Sequence, residues 1–188
     1  MSSVASPFGL KPAWHPSGVI RQQQGTIISG LASNIFQFSP VRWADATGGL
    51  VPAVAGATNV LGAFMGVEFT GTDGRRRVAN FWESGQVGTE IVAYFTMDPQ
   101  IVYEIQAEGS VLQLNVGDMA DYNALAGNTT TGLSSVSLDS SALSAAAAQL
   151  RVVGINPGSD NVVGDAFTIV EVQIAEHAFN AYTVVKTA

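Results

Sequence analysis

Apolar residues in this chain never recur at the helical spacing over the length of an ordinary helix. They fall in short runs rich in Val, Ile, Phe, Tyr and Thr, cut every few residues by glycine, proline or an Asx residue. A chain written this way has no helical stripe to bury. It must pair strands and cover a face of each sheet, which leaves an all-β sandwich or barrel. About ten short antiparallel strands are legible. Spacing alone does not separate sandwich from barrel, and no solenoid period is present.

The clearest block is VLGAFMGVEFTGTDGRRRVANFW, Val60 to Trp82, where two β-rich runs flank Thr72-Asp73-Gly74. A DG pair between such runs is a strong hairpin signal. The runs TEIVAYFTM and IVYEIQ, parted by Asp98-Pro99, suggest a second hairpin-like block. In IVYEIQ, Val102 and Glu104 share one face and Ile101, Tyr103 and Ile105 the other. In DAFTIVEVQIAEHAF, Thr168, Val170, Val172 and Ile174 alternate with Phe167, Ile169, Glu171 and Gln173, and a strand is expected. Asn34 to Ala44 reads as a strand interrupted at Pro40, and Leu50 to Val54 as a short one. Residues 115–141 are rich in Gly, Ser and Thr and read as a long excursion carrying short strands. Ala142 to Ala147 favours helix by composition, but the adjoining QLRVVGI favours strand, which is the preferred reading there.

The N-terminal stretch SPFGLKPAWHPSG, Ser6 to Gly18, is of a different kind. Pro7, Pro12 and Pro16 exclude a helix interior or a central strand. Phe8, Leu10 and Trp14 make it too apolar for a solvated tail. Two parts follow: an extended arm over residues 1–18 and an all-β domain over residues 19–188. A proline-stiffened arm loses less entropy on docking, so Phe8, Leu10, Pro12 and Trp14 are candidate contact residues for another subunit. The alternative is that they pack on their own domain.

Charge narrows the partners. Charged residues make up 12 % of the chain, about half the usual fraction. A surface with so few charges resists association poorly and points to an assembly. The net charge is −7 and the single basic cluster is Arg75-Arg76-Arg77, without the aromatic interleaving of a single-strand binder. Nucleic acid is therefore not an expected partner. The cluster reads as a solvated hairpin strand, or as a patch that pairs with an acidic protein surface. No run of about 18 apolar residues is present, so no membrane span is expected. The start lacks the pattern of a signal peptide, which deprives the sequon at Asn128 of meaning.

No chemistry-bearing constellation emerges. The chain has no cysteine and two histidines. His15 lies in the arm and His177 at the end of the last strong strand, where a structural role is expected. The acids come closest to clustering at Asp118 with Asp121 and at Asp160 with Asp165, spacings typical of turn formers. No catalytic, cofactor-binding or metal-ligating residue is expected, and the chain reads as a non-enzyme. Trp43 and Trp82 adjoin strong strands and read as core or core-edge residues.

The ordered blocks PFGLKP, LGAFMGVEFTGTDGRRRVANFW, DPQIVYEIQAEG and LRVVGINPGSDNVVGDAFTIVEVQIAEH resemble the head decoration, or cement, proteins of tailed bacteriophages. The resemblance implies an all-β virion protein, a homotrimer, that sits on the outer surface of the phage head after synthesis in the bacterial host cytoplasm. It implies the major capsid protein as partner, with neighbouring capsomers clamped together. It also implies an arm reaching a neighbouring subunit, carried here onto Phe8, Leu10, Pro12 and Trp14. The family lends no catalytic residue. The competing reading is a β-sandwich that binds carbohydrate or a receptor, for which Trp82 beside Asn80 or Glu83 is the local candidate.

Overall fold

The computed structural model describes residues 2–123, 126–143 and 147–180. Among these residues, thirteen strands pair antiparallel in three sheets. The five-stranded sheet runs β1 (Lys11–Trp14), β8 (Val102–Gln106), β13 (Ile169–Ile174), β12 (Leu150–Ile155), β9 (Met119–Ala120). The six-stranded sheet runs β2 (Gln22–Gly25), β7 (Thr89–Thr96), β5 (Gly62–Thr70), β3 (Pro40–Trp43), β4 (Leu50–Pro52), with β6 (Arg76–Ala79) also paired to β5. A two-stranded ribbon, β10 (Gly127–Asn128) and β11 (Leu133–Ser134), lies in the Gly/Ser/Thr-rich excursion. The sheets are open, as in a sandwich rather than a closed barrel. The six-stranded sheet curls enough for the Leu50 amide to reach the Thr26 carbonyl at 2.8 Å.

Side-chain alternation divides the interior into two cores. Val60 and Ala63 face the first, with Leu10, Tyr103, Ile105, Val152, Val170 and Val172. Their chain neighbours Leu61 and Phe64 face the second, with Ile35, Val67, Trp82, Ala93 and Phe95. A segment apolar on both faces is what a strand between two cores requires. Trp82 is fully buried and meets Phe69 edge-on at 5.2 Å. Trp43 is half-buried and meets Phe95 edge-on at 5.4 Å, so both tryptophans are core or core-edge residues.

The β5–β6 hairpin forms at the DG turn, with the Gly71 amide bonded to the Arg75 carbonyl at 2.9 Å. The strand near the C-terminus lies where alternation puts it, with Val170, Val172 and Ile174 inward. Three expectations need correction. Asp98-Pro99 does not close a hairpin: β7 and β8 belong to different sheets, and the turn carries the chain from one to the other. The corner is held by Thr96 Oγ1 and Tyr103 Oη, 2.8 Å apart and buried. Next, a 3-10 turn occupies Ser140–Ala142, capped by Asp139, and among the described residues that follow it the strand begins at Leu150; residues 144–146 lie outside the described part of the chain.

The third concerns the arm, which is extended but contains a regular strand. Lys11–Trp14 forms the edge strand β1, with a register shift between Pro12 and Trp14. An edge is where a strand tolerates proline, because the missing donor faces outward. Leu10 is fully buried in the first core, and its amide meets the Phe38 carbonyl at 2.8 Å. Gly9 makes that approach possible. Its φ is +81°, and a Cβ there would lie 2.4 Å from the Phe38 oxygen. Further out, the Ser2 amide donates to the Asp160 carbonyl at 3.0 Å and the Phe167 amide to the Ser2 carbonyl at 2.8 Å. The arm is stitched to its own domain from Ser2 to Trp14.

Candidate interaction surface

With Leu10 in the core and Phe8 and Pro12 half-buried, Trp14 is the aromatic the arm leaves open, at 47 % exposure. Its surroundings are fixed. Lys11 pairs with Glu104 across the β1–β8 ladder at 3.0 Å, and Asn156 Nδ2 donates to the same carboxylate at 2.8 Å. Beyond Trp14, the Ser17 amide donates to His15 Nδ1 at 3.0 Å, and His15 Nε2 faces Asp98 Oδ2 at 3.3 Å. Trp14 is thus an exposed apolar side chain on a backbone pinned on both sides, already ordered before any contact.

The three arginines are exposed on the hairpin, but two are engaged there. Arg76 lies 3.2 Å from the Glu68 carboxylate and donates to the Glu90 carbonyl at 2.7 Å. Tyr94 Oη donates to Glu68 at 2.7 Å, and with Arg76 beside it this holds the Glu68 carboxyl below the usual carboxylate range. Arg77 pairs with Asp73 at 2.9 Å, and that bond, with the Arg75 amide, holds Asp73 low too. Arg75 makes no ion pair among the described residues. The cluster therefore presents less net positive charge than its sequence suggests, and the structure does not place it beside Trp14.

The tryptophan offered for a carbohydrate site is buried: Trp82 is at 0 % exposure, so its indole is not open to a sugar beside Asn80 or Glu83. Asn80 Nδ2 is bonded to the Thr131 carbonyl at 2.9 Å. The acid pairs are loop formers. Asp121 accepts the Gln149 amide at 2.9 Å, Asp118 accepts Asn115 Nδ2 at 2.9 Å, and Asp165 accepts the Ser2 hydroxyl. Among the described residues no three His, Asp or Glu side chains are grouped to hold a metal ion. No helix of the described residues is long and apolar enough to cross a membrane.

Sequence reasoning missed one carboxyl pair. Glu108 is pushed up by desolvation and by Asp139, while Asp139 is held low by its bonds to Ser141. Asp139 accepts the Ser141 amide at 2.9 Å and the Ser141 hydroxyl at 2.6 Å, the cap of the 3-10 turn. The split is explained by capping, and no local spacing announces a pair joined through two distant loops.

His177 has the structural place expected of it. It is 5 % exposed, its Nδ1 accepts the Phe179 amide at 3.0 Å, and burial pushes its imidazole below the ordinary value of 6.5. A base held low in the fold binds fewer protons than in the unfolded chain, so its contribution falls as pH drops below about 6.5. The urea midpoint of the parent should drop between about pH 7.5 and 5.5 by more than that of His177→Gln. Equal drops would show that His177 carries none of the acid sensitivity.

Comparison of the chain with protein-family models, with curated proteins and with solved structures returns no match.

Proposed function

We propose that this chain is a structural virion protein that binds the outside of a tailed-phage capsid and holds neighbouring capsomers together. The observation that carries the proposal is Trp14: an exposed aromatic on a pinned edge strand, in a chain with few charges to oppose association. The sequence blocks resembling head decoration proteins supply the partner class. Binding that is confined to the assembled lattice stabilises it by linkage, about 2.7 kcal/mol per site at a hundredfold excess over Kd. Many sites on one shell multiply that term.

Tryptophan anchors at interface centres cost about 2 kcal/mol or more when truncated. Trp14→Ala should therefore weaken co-sedimentation with capsid shells by roughly thirtyfold or more. Its half-exposed ring contributes little to the fold, so thermal melting should shift by only a few degrees. Parent-like binding by the variant would remove Trp14 from the contact. Failure of the parent to sediment with shells would remove the capsid reading itself.

A further inference from the structure

A folded chain seldom leaves several large apolar side chains together in water, and where it does the patch marks a contact. Two loops of the five-stranded sheet carry such a patch. The loop between β8 and β9 exposes Leu112 and Leu114, the latter at 76 %, and the loop between β12 and β13 exposes Val162 and Val163. The two loops are fastened together. The Gly164 amide donates to the Val111 carbonyl at 3.2 Å, and the Ser110 hydroxyl to the Gly164 carbonyl at 2.9 Å. The Val162 amide also donates to Ser2 Oγ at 3.3 Å. The patch is thus ordered before any contact and loses little entropy on docking. Its charges are of one sign: residues 108–118 and 158–167 contain Glu108, Asp118, Asp160 and Asp165 and no lysine or arginine.

We infer that this acid-rimmed apolar patch docks, head to tail, onto the β5–β6 hairpin of a second copy of this chain. A copy meeting it through the same patch would set carboxylates against carboxylates, which disfavours a two-fold contact. The fitting surface is apolar at its centre and basic at its margin, and the hairpin provides it. Val78 on β6 is 81 % exposed, the most exposed large hydrophobic side chain among the described residues. Arg75, Arg76 and Arg77 precede it. The neighbouring acids Glu68, Glu90 and Asp73 are already engaged by Arg76 and Arg77. Arg75 is left as the uncompensated cation, exposed and in no ion pair among the described residues. Asp160, on the rim of the apolar patch, is likewise exposed and in no ion pair among those residues. One surface belongs to loops of the five-stranded sheet and the other to an edge of the six-stranded sheet, so each copy offers both. A contact between unlike surfaces is heterologous, and repeated it closes into a ring or grows into a filament. The inference uses neither Trp14 nor the capsid proposal.

The test uses the full chain, which has no cysteine. Val78→Cys and Val162→Cys are prepared separately, mixed, and treated with oxidised glutathione. Mass spectrometry of the linked peptides should show residue 78 joined to residue 162 roughly tenfold faster than either position is joined to its own kind, through higher effective concentration. Light scattering of the parent should show association that rises with concentration and weakens as salt is added, because opposite charges meet. Contact between like-charged patches would strengthen with salt instead. Arg75→Glu and Asp160→Arg should each weaken association about fivefold, and the two together in one chain should restore most of it. Circular dichroism melts of these variants should match the parent, since both side chains lie in water. A parent monomeric at every concentration, linkage with no preference for residue 78 with residue 162, association that strengthens with salt, or a double variant no better than the single ones would each overturn the inference.

Discussion

Removal of residues 1–18 should unfold the five-stranded half of the molecule rather than release an intact domain. The segment supplies edge strand β1, the buried Leu10 and the Ser2 contacts with the 160–167 loop. Loss of a buried leucine alone costs about 3–5 kcal/mol in a well-packed core. Tyr103, beneath β1 in the ladder, is buried beside it, and burial pushes its phenol well above the ordinary range. Stripping β1 brings water to that ring and to the outer hydrogen-bonding groups of β8. Set against a total stability of about 5–15 kcal/mol, the combined loss leaves little margin. Urea titration of the truncated chain should show an early, broad transition or no cooperative fold. A truncated chain with the parent's midpoint would mean that the arm contacts are incidental to stability. Because truncation damages the fold, the role of the arm in binding is read cleanly only from Trp14→Ala.

How this arm could be misread from sequence is instructive. Three prolines within it argue against a core element, and the argument is sound for helices and central strands. It does not exclude an edge strand, and whether a segment lies at an edge depends on partners far along the chain. Asp98-Pro99 poses the same difficulty. A turn signal fixes a change of direction, not whether the next strand returns beside the last or enters another sheet. Here the choice rests on Tyr103 reaching Thr96 across the corner, which no local pattern encodes. By contrast, the DG hairpin and the alternation of Thr168 to Ile174 are local signals, and the structure matches them. The proposed surface site was partly legible. Trp14 stood out because its neighbours are poor core formers, but the burial of Leu10, a few residues away, needed the three-dimensional contacts.

The other large effect should come from Gln149, a polar residue at 0 % exposure. It sits after a run of alanines, and nothing in the sequence marks it. Its Nε2 donates to the carbonyls of Val54 at 3.0 Å and Ala57 at 2.8 Å and approaches Tyr122 Oη at 2.9 Å. Its Oε1 accepts the Gly56 amide at 3.0 Å. Tyr122 in turn donates to the Ala53 carbonyl at 2.8 Å. One side chain thus satisfies the backbone of the loop joining β4 to β5 and ties the six-stranded sheet to the start of β12. Each buried group left without a partner costs about 1–3 kcal/mol. Gln149→Ala strands several and opens a cavity, so a loss of about 3 kcal/mol or more is expected, a melting shift of roughly 6–12 °C for a domain of this size. Gln149→Leu separates the two contributions, since it keeps most of the volume and none of the hydrogen bonds. If satisfaction of the loop backbone is what matters, Leu should be nearly as damaging as Ala. If Leu restores most of the lost stability, volume dominates and the hydrogen-bonded plug is the wrong account. Gln149→Glu sharpens the contrast, because a carboxylate would face the Val54 and Ala57 carbonyls with no donor to offer them. It should be at least as destabilising as Ala near neutral pH and recover part of the loss in acid, where a protonated carboxyl again carries a hydrogen to donate.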